Sequence, residues 1–248
     1  MTKSSKAIGI DGCRAGWCVA IQSQEGLWIE LWEDIHRIKR VSTSAQICID
    51  IPIGLPSKNR SRTCDDAARK QLGRGASSVF GVPCREAVYA ESYQGALKIN
   101  RQILGKGFSI QSWNICGKIR EVDHFLIEHP NYQPSFYECH PELAFLHLND
   151  APLRHKKKTP EGHEERLSIL ESYSPSIRDC YAQGIADYKR KEVARDDIID
   201  ALALMVVSEL SRMNPLSTVE VDQFDSEGVR MNIHYHNPHG NDTSPYSR

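Results

Sequence analysis

The chain has 248 residues, 40% hydrophobic and 25% charged, with a formal net charge of −1. That length buries a real core and fits one large α/β domain or a smaller one carrying an inserted subdomain. The near-neutral balance counts against a dedicated nucleic-acid binder with a strongly basic surface, and no apolar run approaches the ~20 residues of a membrane span.

Residues 6–34 read as three consecutive strands, AIGIDG, GWCVAIQ and LWIELWED, reversed at turns marked by glycine and polar residues. DIHRIKRVSTSA crosses over as a short helix with Ile35 and Ile38 inward. QICIDIPIG lacks alternation and reads as a strand buried on both faces, as in the centre of a mixed or parallel sheet. From about 57 to 130, prolines and glycines punctuate helical stretches such as REAVYAESYQGALKINRQIL and GKIREVDHFLIEH, which predicts a helical insertion after the fourth strand. PSFYECHPELAF returns to a strand, with Pro141 suited to the first turn of the next helix.

NDAPLRHKKKTPEGHEE reads as a surface loop whose densest positive point is Lys156, Lys157 and Lys158. Three helices follow, GHEERLSILESY, PSIRDCYAQGIADYKRKE and the long apolar RDDIIDALALMVVSEL. A strand, GVRMNIHY, and a loose tail from Asn237 complete the chain. The expected organisation is one domain over 1–215, insertion included, and a C-terminal strand and tail over 216–248.

The eight cysteines are scattered singly with no CxxC, so they read as reduced, and Cys18 and Cys48 as small core residues. The start MTKSSKAIGIDG enters a strand without a hydrophobic segment that could serve as a secretory signal, so a cytoplasmic location is expected.

Chemistry concentrates in acids at element boundaries. Asp11 ends the first strand beside Gly12, Asp50 lies inside ICIDIPIG, Glu138 lies in SFYECHPELAF, and Asp196, Asp197 and Asp200 open the last helix. Burying Asp50 or Glu138 in such apolar strands is costly without a partner or a metal. If these strands share a sheet and the last helix packs across it, the carboxylates form an all-oxygen cage suited to Mg²⁺ or Mn²⁺. Carboxylate-bridged ions support in-line displacement at a phosphodiester. Helix phase puts Asp197, Asp200, Ala201 and Leu204 on one face, with Asp196 as the N-cap. The expected metal set is Asp11, Asp50, Glu138, Asp197 and Asp200. Glu142, a first-turn acid favoured by the helix dipole, is the competing ligand to Glu138. His140 can relay a proton or serve the structure only. Among the basic residues, Arg14, Arg62 and Arg85 are the expected phosphate contacts, because a guanidinium fork binds phosphate bidentately.

Taken in order, GIDGCRAGWCVA, IDIPIGLP, RTCDDAARKQLG, SSVFGVPCREA, SWNICGKIREVD, YECHPELAF and DDIIDALAL resemble the family catalogued as domain of unknown function 429, from about residue 6 to 210. That family is regarded as a predicted nuclease of ribonuclease H-like fold. The resemblance implies a mixed sheet flanked by helices and an acidic set of Asp11, Asp50, Glu138 and Asp197, with a nucleic acid or nucleotide as substrate. Two other readings compete. An ATP-dependent phosphotransferase of the actin and sugar-kinase type also carries an acid near glycines on its first strand, but that class duplicates the core, and here there is one such core with neither a GxxxxGK(S/T) loop nor a second GxDxG-like turn. A non-catalytic binding protein would use the insertion as a partner surface. A homodimer is entertained only because dimers are the commonest assembly of soluble enzymes.

Overall fold

The computed structural model describes residues 6–41 and 45–240. The apolar start of the chain forms β1 (Ala7–Cys13), β2 (Gly16–Ser23) and β3 (Gly26–Trp32), an antiparallel meander, and β4 (Gln46–Asp50) then joins β1 in parallel. A six-residue 3₁₀ turn at Ile35–Arg40, capped by Asp34, makes the crossover and buries Ile35 and Ile38. β5 (Phe136–Glu138) pairs in parallel with β4, giving a five-stranded mixed sheet of order β3-β2-β1-β4-β5. The continuous apolar runs AIGI, WCVAI and ICI occupy the three inner strands, β1, β2 and β4, as burial on both faces requires.

The chain divides into two compact units. The first comprises the described parts of Met1–Asp50, Pro134–Ser217 and His234–Thr243. It holds the sheet with α5 (Pro141–Leu148), α6 (Pro160–Glu171), α7 (Ile177–Asp187) and α8 (Arg195–Leu210). α8 is buried all round, with every residue from Ile198 to Ser208 inside and all but Asp200 and Ser208 apolar, as expected of a helix pressed between a sheet and further helices. Two features fix it across β1 and β4. A Cβ at Gly9 would stand 2.1 Å from both Ala201 O and Met205 N, so only glycine admits the helix backbone this close. One turn beyond Leu204, the Ser208 hydroxyl accepts from Ile8 N at 3.1 Å and donates to Gln46 O at 2.7 Å. After the second unit the chain returns at His234, which bridges Cys139 in parallel, and Tyr235 stacks on His147 at 3.8 Å. His239 also bonds Leu148 O, so the described part of the expected loose tail is tied down as far as this residue.

The second unit comprises Ile51–Gln133, Thr218–Ile233 and a terminal stretch outside the described residues. It holds α1 (Cys64–Leu72), the single turn α2 (Arg85–Val88), α3 (Tyr93–Leu104) and α4 (Ile110–Glu128). The expected continuous helix over REAVYAESYQGALKINRQIL is broken after Val88, because Ser92 takes an extended conformation and caps α3 by accepting from Gly95 N. The segment 218–233, expected as part of a separate C-terminal piece, belongs to this unit. Asp225, fully buried, accepts from Leu55 N at 3.0 Å and from Arg85 at 2.5 Å. The expected strand GVRMNIHY becomes two short pieces, Arg230–Met231 paired with Gln223–Phe224 here, and His234–Tyr235 in the first unit.

Candidate active site

Asp11 and Asp50 are direct neighbours in the β1/β4 register, so their side chains leave the same face of the sheet. It is the face covered by α8, since Gly9, two residues before Asp11, meets that helix. Asp200 enters from α8 itself. It lies on the same four-residue stripe as Leu204 and Ser208, and the Ser208 bonds to β1 and β4 set the rotation that turns it toward the sheet.

The electrostatics show how closely these acids act on one another. Burial raises the Asp11 carboxyl well above the usual range, with the charges of Asp200, Asp50 and Asp197 adding and that of Lys157 opposing. Burial also raises Asp50, with Glu142 adding and His140 and Lys157 opposing. Asp200 is 1% exposed and is pushed up to about 7 by burial, against the pull of Lys157, with Asp50 and Glu142 adding. One Asp200 oxygen, Oδ1, is buried with no hydrogen-bond partner. The other accepts from Lys157 Nζ, which also stands 3.9 Å from Asp196 Oδ2.

Each expected residue now has a place. Asp11, Asp50 and Asp200 converge. Asp197 borders them as the third residue of α8, but its Oδ2 accepts from Ala194 N at 2.8 Å and so helps hold the helix start. Ala194 occupies the cap position expected for Asp196, because α8 begins at Arg195. Glu138 is not brought to the cluster. It lies opposite Ile49, one residue out of phase with Asp50, and its side chain leaves the other face of the sheet. Glu142 takes the nearby position instead, from the first turn of α5, where its Oε1 accepts from Arg166 at 2.6 Å. His140, between β5 and α5, acts electrostatically on Asp50.

Arg14 is exposed in the turn three residues beyond Asp11, at the edge where the acids lie. The other two expected phosphate contacts sit in the second unit, held by internal bonds. Arg62 is 8% exposed, pairs with Asp65 at 2.6 Å and donates to Ile53 O and Gly54 O. Arg85 is clamped between Asp123 and Asp225 at 2.5 Å each. Lys157 is the residue that sequence reading did not assign to the site. Its signal was the run of three lysines just before a helix start, TPEG, which reads equally well as a solvated loop.

A family model described as "Protein of unknown function (DUF429)" matches residues 9–213. The chain belongs to the DUF429 family. No curated protein and no solved structure matches it. The DUF429 match runs from β1 to just past α8 and takes in Asp11, Asp50, Lys157 and Asp200. No helix among the described residues of this DUF429 protein is long and apolar enough to cross a membrane, and all eight of its cysteines are buried and free.

The donor set suits a hard cation: two buried carboxylates, Asp11 and Asp200, and the half-buried Asp50 face a single ammonium, with one Asp200 oxygen left without a partner. Among the described residues, no three His, Cys, Asp or Glu side chains already stand in ligating positions. Lys157 occupies Asp200 instead.

Proposed function

We propose that this protein is a divalent-metal-dependent phosphodiesterase acting on a nucleic acid or nucleotide, on a ribonuclease H-like fold. The observation that carries the reading is the convergence of Asp11, Asp50 and Asp200 from the first strand, the fourth strand and the last helix. Like charges gathered in a buried place cost stability, and a structure keeps such a cost where function uses it. The acid on the first strand, the acid on the fourth and the acid on the last helix follow the order that the family resemblance implies.

Asp11, Asp50 and Asp200 would hold Mg²⁺ or Mn²⁺, with Glu142 in place of Glu138 as the neighbouring acid. A divalent ion there supplies stabilisation of the negative charge that develops on a phosphodiester during in-line displacement. The protein's own residues do the rest. The rigid β1/β4 register keeps Asp11 and Asp50 at a fixed spacing, so little reorganisation is needed. His140, beside Asp50, is placed to hold or pass a proton from an attacking water. Arg14, exposed at the same edge, is free to meet a phosphate.

The test incubates wild type and Asp11→Asn with Mn²⁺ or Mg²⁺ and labelled single-stranded RNA, single- and double-stranded DNA, RNA–DNA hybrid and branched DNA. Cleavage by wild type alone supports the reading and names the substrate. Mn²⁺ should also raise the melting temperature of wild type and leave Asp11→Asn unmoved. Equal stabilisation of both would refute the assignment of the acids.

A further inference from the structure

We propose that Lys157 is a tethered cation that competes with the metal for Asp200 and, once displaced, binds a phosphate of the substrate. The inference rests on the metal-dependent reading above.

Lys157 is held in place by its loop and is not a mobile surface lysine. The backbone before it is fastened to the start of α6. Glu165 accepts from Arg154 N and His155 N at 2.9 Å, and its second oxygen also reaches Arg154 N at 3.1 Å. Buried Arg166 donates to His155 O at 3.4 Å while paired with Glu142. The Thr159 hydroxyl donates to Lys156 O at 3.1 Å and caps α6 by accepting from Gly162 N. A Cβ at Gly162 would stand 2.0 Å from Lys156 O, so the loop can lie this close only against glycine. These contacts deliver one lysine of three to the acids and leave Lys156 and Lys158 exposed on either side.

Lys157 reaches Asp200 from the solvent side. Its side chain is 35% exposed where that of Asp200 is 1% exposed, so the ammonium can leave without opening the core. An ammonium satisfies only one oxygen of Asp200, and the buried Oδ1 remains without a partner. A divalent ion and the ammonium cannot share the same face of one carboxylate without strong repulsion, so binding of one requires release of the other. The released side chain is still tethered at the mouth between two further lysines. It is a flexible point charge suited to a phosphate group, while the acids themselves repel one.

The test measures Mn²⁺ uptake at pH 8 without substrate, from the electron paramagnetic resonance signal of the free ion. It compares wild type, Lys157→Met, Lys157→Arg and Asp200→Asn, each checked for folding by its melt. A competitor that holds Asp200 most of the time lowers apparent affinity by the fraction of protein left competent, so Lys157→Met should bind Mn²⁺ about tenfold tighter. Lys157→Arg, which keeps the charge, should stay near wild type, and Asp200→Asn should bind weakly. With Mn²⁺ saturating, inorganic phosphate should bind wild type about tenfold tighter than Lys157→Met, as loss of a charge-assisted contact predicts. Equal Mn²⁺ affinity in wild type and Lys157→Met overturns the competition and leaves the metal reading standing. Equal phosphate affinity overturns the second role. Absence of Mn²⁺ uptake by every variant, wild type included, overturns the metal reading and this inference with it.

Discussion

Replacing Asp200 with Asn should make the metal-free protein more stable at pH 8. In the folded chain the Asp200 carboxyl is raised from its ordinary 3.8 to about 7 by burial and by Asp50 and Glu142, even with Lys157 in contact. Between those values the folded protein keeps a proton that the unfolded chain has released. Stability is therefore full below the lower value and is lost as pH rises through the upper one. At about 1.4 kcal/mol per pH unit, the whole loss is about 4 kcal/mol at pH 8. Asn copies the protonated acid in shape and charge, so it removes that cost. It also relieves Asp11, whose own carboxyl is raised partly by Asp200. Lys157 keeps its solvent access and the approach to Asp196. Urea unfolding with a chelator present, at pH 4.5 and pH 8, measures the difference. Asn should exceed wild type by several kcal/mol at pH 8 and by little at pH 4.5. A variant less stable than wild type at pH 8, or a gap that does not change with pH, would refute the argument that these acids repel one another across a buried site.

Glu138→Gln should leave Mn²⁺ affinity within about threefold of wild type, because its register points it away from Asp50, while Asp11→Asn should abolish binding; isothermal titration separates the two. Gly9→Ala should cost about 3 kcal/mol or more by urea denaturation, at or beyond the upper end of ordinary overpacking, because the added carbon meets rigid helix backbone. An unchanged urea midpoint, or any increase in stability, would contradict the close approach of α8. Arg85→Met should destabilise by about 3–5 kcal/mol by the same assay, since it strands the carboxylates of Asp123 and Asp225 without their shared cation. Phosphate at millimolar concentration should not restore it, which distinguishes a structural clamp from a substrate contact.

The sequence by itself determined the five strands of the main sheet, the helical insertion, the three late helices and the three acids that converge, Asp11, Asp50 and Asp200. Asp11 and Asp50 were legible because each interrupts an apolar strand core, where a carboxylate is costly to bury whatever surrounds it. Asp200 was legible as part of a helix face, since 3.6-residue periodicity is a local property of the chain. Tertiary structure decided the rest. Nothing in YECHPEL says whether Glu138 is in or out of phase with Asp50; that depends on the β4/β5 register, and a shift of one residue would exchange the faces. Arg62 and Arg85 looked like phosphate forks until Asp65, Asp123 and Asp225, up to 140 residues away in sequence, were seen to hold them. Lys157 lay in a run that reads as solvated surface. Its role appears only because Glu165, Thr159 and Gly162 hold the loop beside α8, bringing a charge to acids 43 residues further along the chain at Asp200. Local pattern records which side chains are costly to bury, and only packing records which of them share the cost.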